Sequence, residues 1–154
     1  NLKTGASCDY ANTLNNRKIY GKLYNWYAVN DSRNIAPAGW HVPSADEWNT
    51  LITYLGGENE AGGKLKEAGT IHWYSPNTGA TNESGFTALP GGSSYFSGQF
   101  LQMGIIGFWW SSTKSSKKYA YSVNLSYDSS NVGYYKFLRL NGGLSVRCVK
   151  DQVK

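Results

Sequence analysis

The 154-residue sequence has few of the residues on which most catalytic sites depend: two histidines, two cysteines and ten acidic residues. Two histidines do not support a Ser/His/Asp set, and the acidic residues show no spacing typical of a paired-carboxylate site. No apolar run reaches the roughly 20 residues that a membrane-spanning helix needs. These shortages argue against the commonest hydrolase sites and against a membrane span in this segment.

Charged residues make up only 16% of the chain, and the net charge of +5 is modest. The basic residues are scattered, and only Lys114, Lys117 and Lys118 lie close together in the sequence. A nucleic-acid-binding domain more often carries a basic stripe. We therefore expect no nucleic-acid partner and interpret the surplus as an ordinary soluble surface.

Aromatic residues and glycine are abundant instead, with 6 Trp, 12 Tyr and 18 Gly. This composition favours a compact, loop-rich domain that contains β-structure, and it argues against a helical bundle and against disorder. The length fits a single domain, residues 1–154, with a core of its own. Because the chain starts at Asn1 without a signal peptide, we expect it to be excised from a longer protein.

Two helices are predicted in the N-terminal half. Ser44 and Glu47 have the spacing of a capping box. Apolar residues then recur with helical periodicity up to Gly56, where the helix should stop. A shorter helix is predicted from Glu60 to Ala68, weakened by two glycines. The apolar stripe of the first helix consists of Trp48, Leu51, Ile52 and Leu55.

The remaining elements are short strands and loops. A strand is predicted from Ile19 to Tyr24, followed by a short helix at 25–29, and residues 70–107 read as irregular loops whose large apolar side chains, including Tyr95 and Phe96, pack inward. The C-terminal third alternates like β-structure, with strands at 108–111, 120–125, 132–140 and 144–148 and turn chemistry at 128–131. The order of elements is that of an α+β domain.

The two cysteines, Cys8 and Cys148, lie near opposite ends of the chain. They are either free buried thiols or one disulfide that ties the N-terminal segment to the last strand. We favour the disulfide, which would require the first and last strands to be adjacent. Closing a loop of this length is worth roughly 4–5 kcal/mol in the chain-entropy model, and it implies an oxidising compartment.

Several stretches together resemble the Fibrobacter succinogenes major paralogous domain. They are NLK at 1–3, YGKLYNW at 20–26, PAGWHVPS at 37–44, EW at 47–48, GGKLK at 62–66, NESGF at 82–86, LPGG at 89–92, FWWSS at 108–112 and SVRCV at 145–149. This resemblance implies a C-type lectin-like fold related to the formylglycine-generating enzymes. It has two helices near the N-terminus, long irregular loops and a twisted antiparallel sheet. It also implies a secreted or surface-exposed bacterial protein, held at the outer membrane through a region outside this segment.

The enzymes related to this family use residues that the chain lacks. Formylglycine-generating enzymes use two neighbouring cysteines near the C-terminus, where only Cys148 stands. The related iron-dependent sulfoxide synthases use a histidine cluster. We interpret His41 as structural and leave a ligand role for His72 as an alternative. We therefore expect no enzyme activity, with a degenerate enzyme as an alternative.

Sugar-binding C-type lectins hold calcium with Glu-Pro-Asn or Gln-Pro-Asp and Trp-Asn-Asp tripeptides, and none of these occurs here. Asn82, Glu83 and Asp128 still offer oxygen donors of the kind that calcium prefers. We expect no cofactor and leave a structural calcium ion as an alternative.

Residues 113–141 are rich in Tyr, Ser and Asn, the residue types of antibody paratopes. We predict an adhesin-like module, a monomer, that binds a protein or glycan on a cell surface through this segment. Trp73 is a second candidate contact, though we expect it in the core. An ordinary sheet surface or a structural spacer domain would have a similar composition. The predicted contacts are Tyr119, Tyr121, Tyr127, Asp128, Asn131, Tyr134, Tyr135 and Lys117, with Lys114 and Lys118 at the rim.

The same segment lies between two fixed-looking motifs, and randomised Asn codons tend to yield Asn, Tyr, Ser and Asp. This suggests a hypervariable display domain of a diversity-generating retroelement, as in some domains that resemble this one. A uniform sequence of residues 113–141 across many isolates would contradict that hypothesis.

Overall fold

The computed structural model describes residues 3–152 and shows a mixed α/β domain with short helices and antiparallel sheets. The elements are β1 (Ser7–Cys8), a 3-10 turn (Tyr10–Asn12), α1 (Leu14–Tyr20), β2 (Leu23–Tyr24), α2 (Trp26–Val29), β3 (Trp40–His41), α3 (Ala45–Tyr54), α4 (Ala61–Leu65), β4 (Ser93–Ser94), β5 (Phe100–Leu101), β6 (Ile106–Lys114), β7 (Tyr119–Ser126), β8 (Val132–Arg139) and β9 (Val149–Lys150). No helix within residues 3–152 has the length and apolar character to cross a membrane.

The central sheet has the order β6-β7-β8 and is buried on both faces. Trp109 and Val123 are register partners on one face, where they pack with Trp48 and Ile52 of α3 and with Leu65 of α4. The opposite face packs against α2. Its buried side chains are Phe108, Trp110 and Ala120 from the sheet, with Trp26, Val29, Val42, Leu140 and Leu144. Alternate side chains of one strand therefore enter two different cores.

Helix α3 confirms the prediction from its capping box. The Ser44 hydroxyl accepts a hydrogen bond from the Glu47 backbone N–H, and the Glu47 carboxylate accepts one from the Ser44 N–H. Trp48 and Ile52 are buried as the apolar stripe requires. The helix brings its first turn beside β6, where Thr113 Oγ1 accepts a hydrogen bond from the Ala45 N–H.

Helix α4 is shorter than predicted, ending at Leu65 instead of Ala68. Lys66 adopts an extended conformation with ψ 144° and forms a bridge with Ala88. Both glycines of α4 are required by close approach rather than by flexibility. A Cβ on Gly63 would lie 2.2 Å from the carbonyl oxygen of Gly79, and one on Gly62 would lie 2.5 Å from that of Asn131.

The predicted strand from Ile19 to Tyr24 is wrong over its first half. Helix α1 runs through Tyr20 and ends at Gly21, whose N–H donates to the Arg17 carbonyl and whose φ is +75°. Only Leu23–Tyr24 is extended. Gly21 therefore separates a helix end from a short strand, which the apolar and aromatic residues on both sides of it did not indicate.

The predicted first and last strands, residues 19–24 and 144–148, are neighbours at one point, where Tyr24 and Leu144 form an antiparallel bridge with backbone hydrogen bonds of 2.7 and 3.0 Å. The terminal strands of the structure, β1 and β9, lie in different sheets. Strand β1 pairs with β2, and β9 pairs with β3. The predicted strand at 144–148 forms only isolated bridges at Leu144 and Ser145. The predicted disulfide is not formed, since Cys8 and Cys148 are both free thiols. They contact different elements: Cys8 Sγ lies 3.8 Å from Ser94 Oγ, whereas Cys148 packs against the core on the α2 side.

Candidate functional site

Two adjoining cavities open at the end of the central sheet where β7 begins and β8 ends. Tyr119 and Arg139, which are register partners, line both of them. The first cavity measures about 260 Å³ and includes Tyr95 and Phe96. The second measures about 420 Å³ and includes Lys117, next to Tyr27 and Asn141. We call the two cavities together the cleft.

The β4–β5 hairpin presents the two aromatic side chains of the cleft. The Tyr95 N–H donates to the Gln99 carbonyl at 2.7 Å, and the Gly98 N–H donates to the Tyr95 carbonyl at 2.9 Å. Gly98 has φ +87°, a backbone conformation that favours glycine. This tight turn leaves Tyr95 and Phe96 53% and 55% exposed, so the prediction that they pack inward is wrong.

A second turn holds Arg139 beside that hairpin. The Gly142 N–H donates to the Arg139 carbonyl at 3.0 Å, and Gly143 exchanges two backbone hydrogen bonds with Ser94. A Cβ on Gly143 would lie 2.2 Å from Ser94 Oγ, so a larger residue here would require the Ser94 side chain to move. As a result the Arg139 guanidinium lies 5.2 Å from the centre of the Phe96 ring, a cation–π arrangement.

The second cavity is basic. Lys3, Lys117, Lys118 and Arg139 line it, and no aspartate or glutamate lines either cavity of the cleft within residues 3–152. A backbone hydrogen bond joins the two strands at this end of the sheet, where the Leu140 N–H donates to the Lys118 carbonyl at 3.3 Å. The cleft therefore joins exposed aromatic rings at one end to a concentration of positive charge at the other.

Comparison with known proteins bears on the whole chain. The family model of the Fibrobacter succinogenes major domain matches residues 1–150. The chain belongs to this family. No curated protein and no solved structure gives a significant match.

In this Fibrobacter succinogenes major domain the predicted contacts divide between two ends of the β7–β8 hairpin. Tyr119 and Lys117 lie in the cleft. Tyr127, Asp128 and Asn131 lie in the loop between β7 and β8, at the other end of the eight-residue strand β7. Eight extended residues span roughly 25 Å, so one small ligand cannot contact both groups.

Three predicted contacts lie on the strands rather than at either end. Tyr134 is wrong as a surface contact, because it packs against the core on the α3 side and its hydroxyl is buried without a hydrogen-bond partner. Burial raises the pKa of Tyr134 to about 12. Tyr135 points to the opposite face, 49% exposed, with its ring 6.4 Å from that of Phe108. Tyr121 is half-buried and lines neither cavity.

The β7–β8 loop is anchored by a lysine. Lys66 is fully buried, and its ammonium group donates to the backbone carbonyls of Thr78, Ser126 and Ser129 at 2.8–2.9 Å. Burial lowers the pKa of Lys66 to about 8, opposed by the nearby Asp128 carboxylate. The ammonium form of Lys66 therefore prevails at neutral pH and holds the loop by its hydrogen bonds to the backbone carbonyls.

The oxygen donors considered for calcium lie in loops that other hydrogen bonds hold. Asn82 Oδ1 accepts a hydrogen bond from the Thr87 N–H, and Asp128 lies in the loop whose carbonyls already bind the Lys66 ammonium. Within the described part of the chain, no three His, Cys, Asp or Glu side chains come together as metal ligands. The lysine supplies a positive charge to carbonyl oxygens, which is the role that a structural cation would have in this loop.

Both histidines are held by carboxylates. His41 lies between Glu47 and Asp151, with Nε2–O and Nδ1–O distances of 2.7 and 2.6 Å. His72 Nδ1 lies 2.9 Å from the carboxylate of Glu67. Trp73 is buried, as we expected, and its indole N–H donates to the Ala88 carbonyl.

Sequence reasoning missed Tyr95, Phe96 and Arg139 as members of the site. The first two form an aromatic pair between Gly92 and Gly98, and such a pair in a glycine- and serine-rich loop is a signal of an exposed hairpin turn. Arg139 gave no comparable signal, because its position depends on the pairing of Gly143 with Ser94, which are distant in the sequence.

Proposed function

We propose that the domain is a non-catalytic ligand-binding module that takes a glycan or a protein segment into the cleft. The observation that carries the proposal is the placement of two half-exposed aromatic rings beside a guanidinium group at a concave surface. Neighbouring exposed aromatic side chains at a concave surface are typical of ligand-binding sites. Binding sites also tend to be concave, with a few converging polar groups.

The C-type lectin-like fold and a position outside the cell are part of this proposal. They rest on the family resemblance and on the order of elements, in which short helices precede an antiparallel sheet, with the β4–β5 hairpin and the β6–β7 turn beside the cleft. Ligand binding by loops on a rigid sheet is a common arrangement.

A degenerate enzyme is the weaker alternative. His41 and His72 are each engaged by carboxylates, and neither histidine lines the cleft. The two thiols contact different elements, so the neighbouring cysteine pair of the related enzymes has no counterpart. A spacer domain, the other alternative, would not need an aromatic and basic cleft.

The test is a glycan-array and surface-protein binding screen of the purified domain and two double variants. Tyr95→Ala with Phe96→Ala removes the aromatic wall of the cleft. Tyr54→Ala with Ile71→Ala removes side chains that are 84% and 83% exposed and line neither cavity. We expect the first variant to lose binding at unchanged stability and the second to keep it. Equal binding by all three proteins would contradict the proposal.

A further inference from the structure

We propose that the ligand of the cleft is an acidic saccharide, one whose sugar units carry carboxylate or sulfate groups. This inference rests on the proposed function, since it specifies the chemistry of the same site. Three features of the cleft carry it: unpaired positive charge, polar groups that both donate and accept hydrogen bonds, and aromatic rings beside the charge.

The positive charges of the cleft have no acidic partners among the residues that the structure describes. Within residues 3–152, Lys3, Lys117, Lys118 and Arg139 form no salt bridge, and no acidic residue lines the cleft. The arginines Arg17 and Arg33 instead pair with Asp9 and Asp31, at 2.8 and 2.6 Å. A concave surface lined by one sign of charge concentrates ligands of the opposite sign.

The neutral polar groups of the cleft suit a ligand with hydroxyl groups. Ser94, Tyr27 and Asn141 line the two cavities. Serine and tyrosine hydroxyls and the asparagine amide each donate and accept hydrogen bonds. Sugar hydroxyls do the same, whereas a phosphate backbone offers acceptors alone. The lining therefore favours a polyhydroxylated acid over a phosphate backbone.

The aromatic rings favour a sugar over an acidic peptide. Tyr95 and Phe96 lie with ring centres 6.2 Å apart and planes 43° apart, and both are half-exposed. Such rings offer apolar faces against which the C–H face of a pyranose can pack. Because the Arg139 guanidinium lies 5.2 Å from the Phe96 ring centre, one acidic sugar unit can contact the ring and the charge together.

The experiment is a set of calorimetric titrations of the domain with five short probes. Hexagalacturonate carries carboxylates, a sulfated hexasaccharide carries sulfates, and cellohexaose is neutral. A hexaglutamate peptide and a hexathymidylate supply charge on other backbones. We expect one acidic saccharide to bind at least about tenfold tighter than the other four probes, with affinity that falls as salt rises. Which one binds distinguishes carboxylate from sulfate recognition.

Charge variants locate the interaction. Lys117→Gln with Lys118→Gln should weaken binding of that saccharide by roughly tenfold or more, since hydrogen bonds to charged groups are lost. Lys18→Gln with Lys22→Gln makes the same change in net charge outside both cavities and should change affinity less than about twofold. Arg139→Lys keeps the charge but removes the planar fork, and it should weaken binding as well.

The outcomes separate this inference from the function on which it rests. Cellohexaose binding as tightly as the acidic sugars, with loss in the Tyr95→Ala, Phe96→Ala variant, would overturn the acidic ligand and keep the cleft as a binding site. Tighter binding of the peptide or the oligonucleotide would overturn the saccharide. If none of the five probes binds, the acidic saccharide is overturned, while the array screen still decides whether the cleft binds another ligand.

Discussion

A single buried lysine connects three parts of the chain that are remote in sequence. The Lys66 ammonium binds carbonyl groups of the loop after Trp73 and of the β7–β8 loop, and it lies 5.5 Å from the Trp73 ring centre. Lysine is rarely buried unless its charge is satisfied. Here three carbonyls satisfy it, so the side chain acts as an internal cation.

Replacing Lys66 by methionine should destabilise the domain by about 3 kcal/mol, because it removes three charge-assisted hydrogen bonds and leaves the carbonyls to water or to nothing. The measurement is urea unfolding, read as a lower midpoint at unchanged m-value.

The matched control is Lys64→Met, two residues earlier in the last turn of α4. Lys64 is partly exposed and forms a long, 3.9 Å ion pair with Glu60, so this variant should change stability by less than about 1 kcal/mol. Equal effects of the two substitutions would contradict the role of Lys66 as an anchor.

At the scale of elements, two very short strands connect the C-terminal segment to the start of α3. Strands β3 and β9 are two residues each, and His41 reinforces their pairing by lying between Glu47 of α3 and Asp151 just after β9. The segment after Cys148 is thereby tied both to β3 and to the start of α3.

This connection should depend on pH. Hydrogen bonds to the Asp151 and Glu47 carboxylates raise the pKa of His41 above its ordinary value, so the folded state binds the proton more tightly than the unfolded state. The contribution to stability is complete below the unfolded-state pKa of about 6.5 and is lost as pH rises through the higher folded-state pKa. The difference in Tm between the native protein and His41→Gln should therefore be largest at acidic pH.

The size of that difference is limited, because His41 and both carboxylates are partly exposed to solvent. An exposed ion pair contributes at most about 1 kcal/mol, or roughly 2–4 °C in Tm for a domain of this length. The measurement is thermal unfolding of both proteins from pH 5.5 to 9. A difference that stays constant over this range would contradict the account.

Elements with strong local signals could be predicted from the sequence, and elements defined by distant contacts could not. The capping box of Ser44 and Glu47 predicts helix α3, and the alternation of apolar and polar residues around a turn predicts β7 and β8. Helix α1 was missed because it is only seven residues long, contains two asparagines and has no side-chain hydrogen bond at its N-cap. Helix α4 was overextended because the sequence does not show that Lys66 turns inward.

The candidate site was predicted only in part, because some of its residues come together through contacts between distant parts of the chain. The Tyr- and Ser-rich composition of 113–141 drew attention to the β7–β8 hairpin, yet composition does not tell which end of a hairpin is concave. Tyr134 was assigned to the surface although β8 buries it at the register position of Val123. The aromatic wall comes from the β4–β5 hairpin, whose relation to Arg139 exists only in the folded molecule.

At the scale of the whole molecule, the central sheet packs between two hydrophobic cores. The β7–β8 loop at one end of the sheet is held by buried contacts, and the cleft lies at the other end. The β7–β8 loop is held by Lys66 and by the close approach of Gly62. The opposite end carries the cleft, with its aromatic wall and unpaired positive charge. Under the proposed function, one end provides structural support and the other binds the ligand.

The most direct test compares the two ends on one glycan array. Tyr95→Ala with Phe96→Ala alters the cleft, and Asp128→Ala with Asn131→Ala alters exposed side chains at the anchored end. The account predicts that the first variant loses the bound signal of the native domain and that the second retains it, with both still folded by circular dichroism. Loss of binding in the second variant with retention in the first would contradict the cleft as the binding site.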